Sequence, residues 1–318
     1  MEILGIVIFG SVAAFLLSFW AHLANDRRAL AIALYIVFGG FAAFMLILGT
    51  GILAVGDEIG NDAAEIDPSA GWPFVAVGLA ILISMLPPTR FLLSRVTPMD
   101  ARSIPDMVGL VVLAVASVTM FFAFDLAAEA TTDEETVSFG PAMLVLQGGL
   151  LVVIAYFGIG GLINRDLRSV RDRLGLHLPS IRQVLISFLL IVPLFFVSAI
   201  AGALTQWLQP EISDQAQEFM GDIGGDMDVL TAALLIGITA GIGEEILFRG
   251  AIQPRYGLIF TSIVFALIHV QYGFSFLLLG LFVTSIIFGI QRIKTNTTCC
   301  IITHAAYNFT AVMLTLAV

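Results

Sequence analysis

Few ionisable side chains interrupt the apolar stretches of this sequence, and those that do crowd toward its C-terminal end. The densest group is Gly241-Ile242-Gly243-Glu244-Glu245-Ile246-Leu247-Phe248-Arg249-Gly250. Glu245 and Arg249 are four residues apart with the acid N-terminal, the favourable order for a helical ion pair. Glu244 sits about 100° further round the helix and cannot share that partner in the same way. One carboxylate is therefore expected to be held structurally, with its neighbour free to face a cavity. An ordinary charge cluster at a helix end would account for Arg249, but poorly for two consecutive glutamates inside an apolar helix. Gly237, Gly241 and Gly243 lie just before the pair and permit close approach of another helix.

Two further segments carry polar groups at helical spacing. Phe265 and His269 are four apart, as are His304 and Asn308, so each pair can share a helix face. Taken singly, a histidine near the end of an apolar helix is more often an interfacial or hydrogen-bonded core residue than a reactive one. Polar helix packing would explain His304 and Asn308 equally well. Taken together, Glu244, His269 and His304 lie at similar depths from their helix ends, within ~10 Å at 1.5 Å per residue. Three adjacent helices could bring them to one centre.

Glu-Glu-x-x-x-Arg at 244–249, Phe-x-x-x-His at 265–269 and His-x-x-x-Asn at 304–308 resemble the motifs of the CPBP family, also called ABI. That family contains the type II CAAX prenyl endopeptidases. The resemblance covers roughly residues 183–317. It implies an intramembrane endopeptidase in which Glu244 and His269 activate water and His304 with Asn308 stabilises the oxyanion. Glu245, Arg249 and Phe265 would then be supporting residues. The implied partner is a membrane-associated peptide or protein substrate, prenylated in the CAAX branch. Donors aimed at a developing oxyanion are typically worth about 2.7–4 kcal/mol each.

The residues leave the role of a metal open. Two histidines and a glutamate, here Glu244, His269 and His304, could hold a divalent ion such as Zn²⁺ with water in the fourth position. The sequence has no His-Glu-x-x-His helix, the usual zinc-protease arrangement. The family has been described both as metalloproteases and as metal-independent glutamate proteases. A divalent metal and no cofactor at all are both compatible with these residues.

These residues must be positioned by a membrane bundle. Apolar residues make up 59% of the 318-residue chain, charged residues 12%, and mean hydropathy is +1.01, far from an ordinary soluble domain with about 25% charged residues. Ten candidate spans can be drawn, at about 3–24, 29–55, 72–89, 106–128, 142–162, 183–208, 229–250, 256–271, 273–291 and 297–317. The expected fold is therefore an all-α polytopic transmembrane bundle. Residues 1–182 would form an N-terminal region of five spans without a recognised motif, and residues 183–318 the protease-like domain. The first span has no basic leader and no small-residue cleavage site, so it reads as a retained helix.

The net charge of −10 is a topology signal and not an acidic or nucleic-acid-binding surface. Arg27, Arg28, Arg90, Arg95, Arg102, Arg165, Arg168, Arg171, Arg173, Arg182, Arg249, Arg255, Arg292 and Lys294 all fall on alternate loops or span ends. The intervening loops are acidic, with Asp57, Glu58, Asp62, Glu65 and Asp67 in one and Glu129, Asp133, Glu134 and Glu135 in another. By the positive-inside rule the basic loops face the cytoplasm, and both termini face the opposite side. The long loops at 162–183 and 209–228 have room for short interfacial helices. The second, with Gly221, Gly224 and Gly225, is expected to be flexible.

The remaining features have plainer readings. Pro87-Pro88 should end the third span, since proline removes a donor. Trp20, Trp72 and Trp207 suit interfacial anchors. Cys299 and Cys300 are adjacent, form no framework and read as small packing residues. His22 and His177 fall at membrane edges. Two other functions fit the composition. One is a non-proteolytic regulator that keeps the site, and the other is a transporter relaying protons through buried Glu and His. The absence of an inverted repeat weighs against the transporter.

Overall fold

The computed structural model describes residues 2–59, 67–130, 140–224, 227–269 and 272–316. Asp62, Glu65, Asp133, Glu134, Glu135 and Gly225, used above for topology and loop character, lie outside these described residues. Every regular element described is helical. In chain order they are α1 (Glu2–Asp26), α2 (Arg28–Ile59), α3 (Trp72–Met85), α4 (Pro87–Ser94), α5 (Ile104–Ala130), α6 (Pro141–Gly158), α7 (Leu167–Leu174), α8 (Ile181–Leu189), α9 (Ile191–Leu208), α10 (Pro210–Gly224), α11 (Val229–Glu245), α12 (Gln253–Tyr256), α13 (Leu258–Leu267), α14 (Phe276–Lys294) and α15 (Thr297–Leu316). A 3-10 turn, Pro68–Gly71, precedes α3, and a π-helical segment, Ile246–Ile252, joins α11 to α12.

Eight helical stretches among the described residues are long and apolar enough to cross a membrane. They correspond to eight of the ten expected spans. The other two differ for identifiable reasons. The expected span at 256–271 is the ten-residue α13, which rises only about 15 Å, half of a hydrocarbon core. The chain leaves that helix before His269 and turns at Gly273, whose φ is +57°. The last expected span is the twenty-residue α15. It is long enough to cross but is not among the eight.

Proline shapes two of the joints. Leu86 is extended between α3 and α4 because a residue preceding proline is pushed out of the α region. Pro193, in the first turn of α9, lacks the N–H that would have continued the α8 ladder. The long loops do carry short helices. α7 begins at Asp166, whose side chain accepts from the Ser169 amide, and ends at Gly175 in the left-handed region. The stretch expected to be flexible is helical as far as Gly224.

The chain divides into two compact units, one of Met1–Phe19 with Thr131–Val318, the other of Trp20–Ala130. In the first, α11 is the central helix. It packs along α15, where a Cβ at Gly237 would come within 2.7 Å of the Ala305 carbonyl oxygen and one at Gly241 within 3.0 Å of Ala305. On its other side Gly243 meets Gly148 of α6, 2.9 Å from where a Cβ would stand. The glycines expected to allow close approach thus serve two neighbours. One of them, α6, lies before residue 182. In the second unit α2, α3 and α5 pack round Ala42, Ile81 and Val111.

Candidate active site

The two consecutive glutamates end α11, where the helix passes into the π segment. Their surroundings differ sharply. Glu245 is fully buried. Its Oε2 accepts from Arg249 Nε at 3.1 Å, and its Oε1 lies 2.9 Å from His304 Nδ1. A carboxylate accepts, so Nδ1 carries the hydrogen and the ring presents Nε2 elsewhere. Arg249, also with no exposed surface, donates from Nη2 to Ser285 Oγ at 2.9 Å. Its guanidinium carbon stands 5.3 Å from the Phe265 ring centroid and 5.9 Å from that of Phe288, within cation–π range. Phe288 in turn stacks on His304 at 4.9 Å and 22°. Ser285, Arg249, Glu245 and His304 therefore form one closed, buried chain across α14, the π segment, α11 and α15.

Glu244 belongs to no such chain. Its side chain is 19% exposed, and His269 Nε2 lies 3.8 Å from its Oε2. That separation is too long for a direct hydrogen bond. His269 is oriented from its other nitrogen. Nδ1 lies 2.7 Å from the Phe265 carbonyl oxygen, which can only accept, so the hydrogen is on Nδ1 and in the neutral ring Nε2 offers a lone pair. The Phe265 ring supports the imidazole at 4.6 Å between centroids. The residue is not on the helix with Phe265, since α13 ends at Leu267 and His269 sits in the following turn. The four-residue spacing still brings the two together. Glu244 and His269 thus face each other as two acceptors across a gap that suits a donor between them.

His304 and Asn308 occupy successive turns of α15. His304 is 6% exposed and held as described. Asn308 is half-buried and has no side-chain hydrogen-bond partner among the described residues. Of the residues singled out from the sequence, Glu245, Arg249, Phe265 and His304 form the closed network. Glu244 and His269 form the open pair, and Asn308 stands beside His304 without a contact of its own. With His304 cationic, two carboxylates, one guanidinium and one imidazolium sum to zero charge, the arrangement a low-dielectric interior tolerates best.

Whether Glu244, His269 and His304 fit a resident metal can be read from their donors. Among the described residues no three of His, Cys, Asp and Glu are grouped so as to hold a metal ion.

Several contributors went unread in the sequence. Ser285, Phe288 and Arg292 lie at i, i+3 and i+7 on α14, so they share a face, and that periodicity was the available signal. The π segment leaves carbonyls without ordinary helical partners, and side chains supply them. Arg292 Nε donates to the Arg249 carbonyl at 3.3 Å, and Arg173 donates to those of Gly250 at 2.8 Å and Ala251 at 3.3 Å. π segments interrupting α-helices are frequent at functional sites. Gln291 joins α8, α14 and α15 by donating toward Ser187 Oγ, the Cys299 carbonyl and Thr303 Oγ1 at 2.7–3.1 Å. Cys299 and Cys300 are fully buried and unbridged, in keeping with packing residues.

Comparison with known proteins points the same way. Residues 226–310 match the model of a family described as type II CAAX prenyl endopeptidase Rce1-like. No curated protein and no solved structure matches the chain. The matched stretch starts just before α11 and ends within α15, so it takes in both the closed chain and the open pair. Residues 226–310, from just before α11 into α15, are therefore similar to Rce1-like type II CAAX prenyl endopeptidases, within a multi-pass membrane protein whose described elements are all helical.

Proposed function

We propose that this protein is a membrane-embedded endopeptidase that hydrolyses a peptide bond of a membrane-associated substrate at Glu244 and His269. The observation that carries this reading is the difference between the two glutamates. Glu245 has both oxygens occupied, whereas Glu244 faces the lone pair of His269 Nε2 across 3.8 Å. A water between two acceptors donates one hydrogen to each, which leaves an oxygen lone pair available for attack. As that oxygen bonds to the scissile carbonyl carbon, one proton passes to Glu244 or His269, and the carbonyl oxygen takes the negative charge. His304, with Nδ1–H on Glu245, carries a second hydrogen on Nε2 when cationic and can donate it to that oxyanion, joined by the Asn308 amide. Collapse of the tetrahedral intermediate breaks the C–N bond, and the retained proton goes to the leaving amine. General-base help of this kind is worth typically about 10²–10⁴ in rate.

A resident metal ion is not part of this proposal. The substrate class is a peptide held at the membrane, for which a prenylated CAAX-type tail is the form the family description suggests. The basic loops are proposed to face the cytoplasm. Purified protein in nanodiscs should cleave a membrane-tethered peptide library, including prenylated members. Glu244→Gln should not cleave, and a chelator should leave the wild-type rate unchanged. Loss of cleavage on chelation, restored by one divalent metal, would replace the water-only step with a metal-assisted one. Full cleavage by well-folded Glu244→Gln would remove the assignment altogether.

A further inference from the structure

The unit formed by Trp20–Ala130 lies outside the family match and holds a second buried arginine. Arg90, in the first turn of α4, is 5% exposed. Its Nη2 donates to the Tyr35 phenol oxygen at 2.8 Å, and its guanidinium carbon lies 5.9 Å from that ring's centroid. Its Nε is buried with no hydrogen-bond partner. Among the described residues it forms no ion pair. A buried guanidinium without a counter-ion is strongly unfavourable, and Arg249, with Glu245 as its counter-ion, shows how the same fold treats one that has such a partner.

The surroundings favour an anion from outside the chain. Asn25 Oδ1 accepts from the Ile104 amide at 3.1 Å and ties the α1–α2 turn to the start of α5. Arg27 and Arg28 on that turn, and Arg95 and Arg102 between α4 and α5, are all exposed. The nearby buried acid is engaged elsewhere, since Asp106 accepts from the Asp100 amide and the Ser103 hydroxyl, each at 2.8 Å. Leu86, Phe91, Leu92 and Val96, on or beside α4, are exposed and apolar. A short helix with outward apolar side chains among arginines is suited to lie at the boundary between acyl chains and headgroups. Basic pockets at that level among transmembrane helices take lipid phosphates.

We propose that this end of the unit binds the phosphate of an anionic lipid headgroup, with Arg90 as its buried anchor and the exposed arginines as its rim. The planar guanidinium fork suits phosphate geometry, and Tyr35 fixes it from the inner side. The proposal is independent of the protease reading, and its test needs no catalytic activity.

The full chain, purified in a non-ionic detergent, is titrated with a phosphatidylglycerol, with the phosphatidylcholine of the same acyl chains, and with inorganic phosphate. Retained lipid is counted by native mass spectrometry, and thermal midpoint is followed in parallel. The expected result is phosphatidylglycerol bound at least about tenfold more tightly than phosphatidylcholine. Arg90→Gln should erase that preference, whereas Arg95→Gln should weaken it by less than about threefold. If Arg90→Gln does not fold, Arg90→Lys keeps the charge and loses the fork, and is expected to weaken the preference by about tenfold. No preference in the wild type, or an Arg90 variant that keeps it in full, would overturn the proposal. Inorganic phosphate binding as tightly as phosphatidylglycerol would assign the pocket to a free anion and overturn the lipid as its ligand.

Discussion

The two faces of α11 at its C-terminal end carry the same side chain in opposite situations. On one face Glu245 is sealed among Arg249, His304 and the ring of Phe288, with both oxygens bonded. On the other, Glu244 is partly open and has no direct hydrogen-bond partner among the described residues, with an oriented histidine just beyond hydrogen-bond reach. The closed face fixes geometry and charge, and each Glu245 oxygen there already accepts a hydrogen bond. The open face has the free acceptors that hydrolysis needs. Its precision depends on the closed face, because α11 and α15 are locked together by the Glu245–His304 bond and the glycine contacts with Ala305.

This contrast can be broken in four ways, taken from the largest effect to the smallest. Glu244→Gln removes the base from the open face, so cleavage should fall by about 10²–10⁴. Its stability should change by less than about 1 kcal/mol, as followed by chemical denaturation in the same micelles. Arg249→Met removes the guanidinium that pairs with buried Glu245, which costs about 3–5 kcal/mol. Its loss of activity should follow its loss of folded protein, as fluorescence-detected gel filtration will show. Gly241→Leu forces side-chain atoms against Ala305, and overpacking of this kind costs about 1–3 kcal/mol. A displaced α15 should also raise KM or lower kcat in the fraction that folds.

The smallest effect is at the far end of α11. Asp228 accepts from the Thr231 amide at 3.0 Å and its hydroxyl at 2.6 Å. These bonds hold the Asp228 carboxyl below the usual carboxylate range, with the Thr231 side chain as the larger cause and its backbone amide next. A depressed carboxyl stabilises the folded state above its unfolded value, about 3.9. It loses that contribution as pH falls through the folded value. The protection factor of the Thr231 amide, its exchange rate corrected for the intrinsic pH dependence, should therefore fall as pH drops below about 3.9. Asp228→Asn should be insensitive to that change.

Much of the closed face was legible in the sequence because its first link is local. Glu245 and Arg249 meet by helical spacing alone, and the same spacing joins Phe265 to His269 although the helix has already ended. The unread parts depend on tertiary contacts. Ser285 and Phe288 acquire their roles only when α14 is laid against the π segment. Nothing in Ile246–Ile252 distinguishes a π from an α backbone, since its stabilising donors, Arg173 and Arg292, come from other elements. The arginines read collectively as a topology signal prove to have individual places: Arg173 and Arg292 serve backbone carbonyls, Arg249 an acid, and Arg90 a tyrosine. Periodicity also overestimated α13, because apolar composition continues past the point where the chain turns at His269.

The most direct test of the central claim compares Glu244→Gln and Glu245→Gln with the wild type in one nanodisc preparation. Cleavage of a membrane-tethered peptide and the thermal midpoint are measured on the same samples. The account predicts that Glu244→Gln keeps the wild-type midpoint and does not cleave, while Glu245→Gln has a lowered midpoint. A Glu244→Gln protein that is folded and cleaves at the wild-type rate would contradict it.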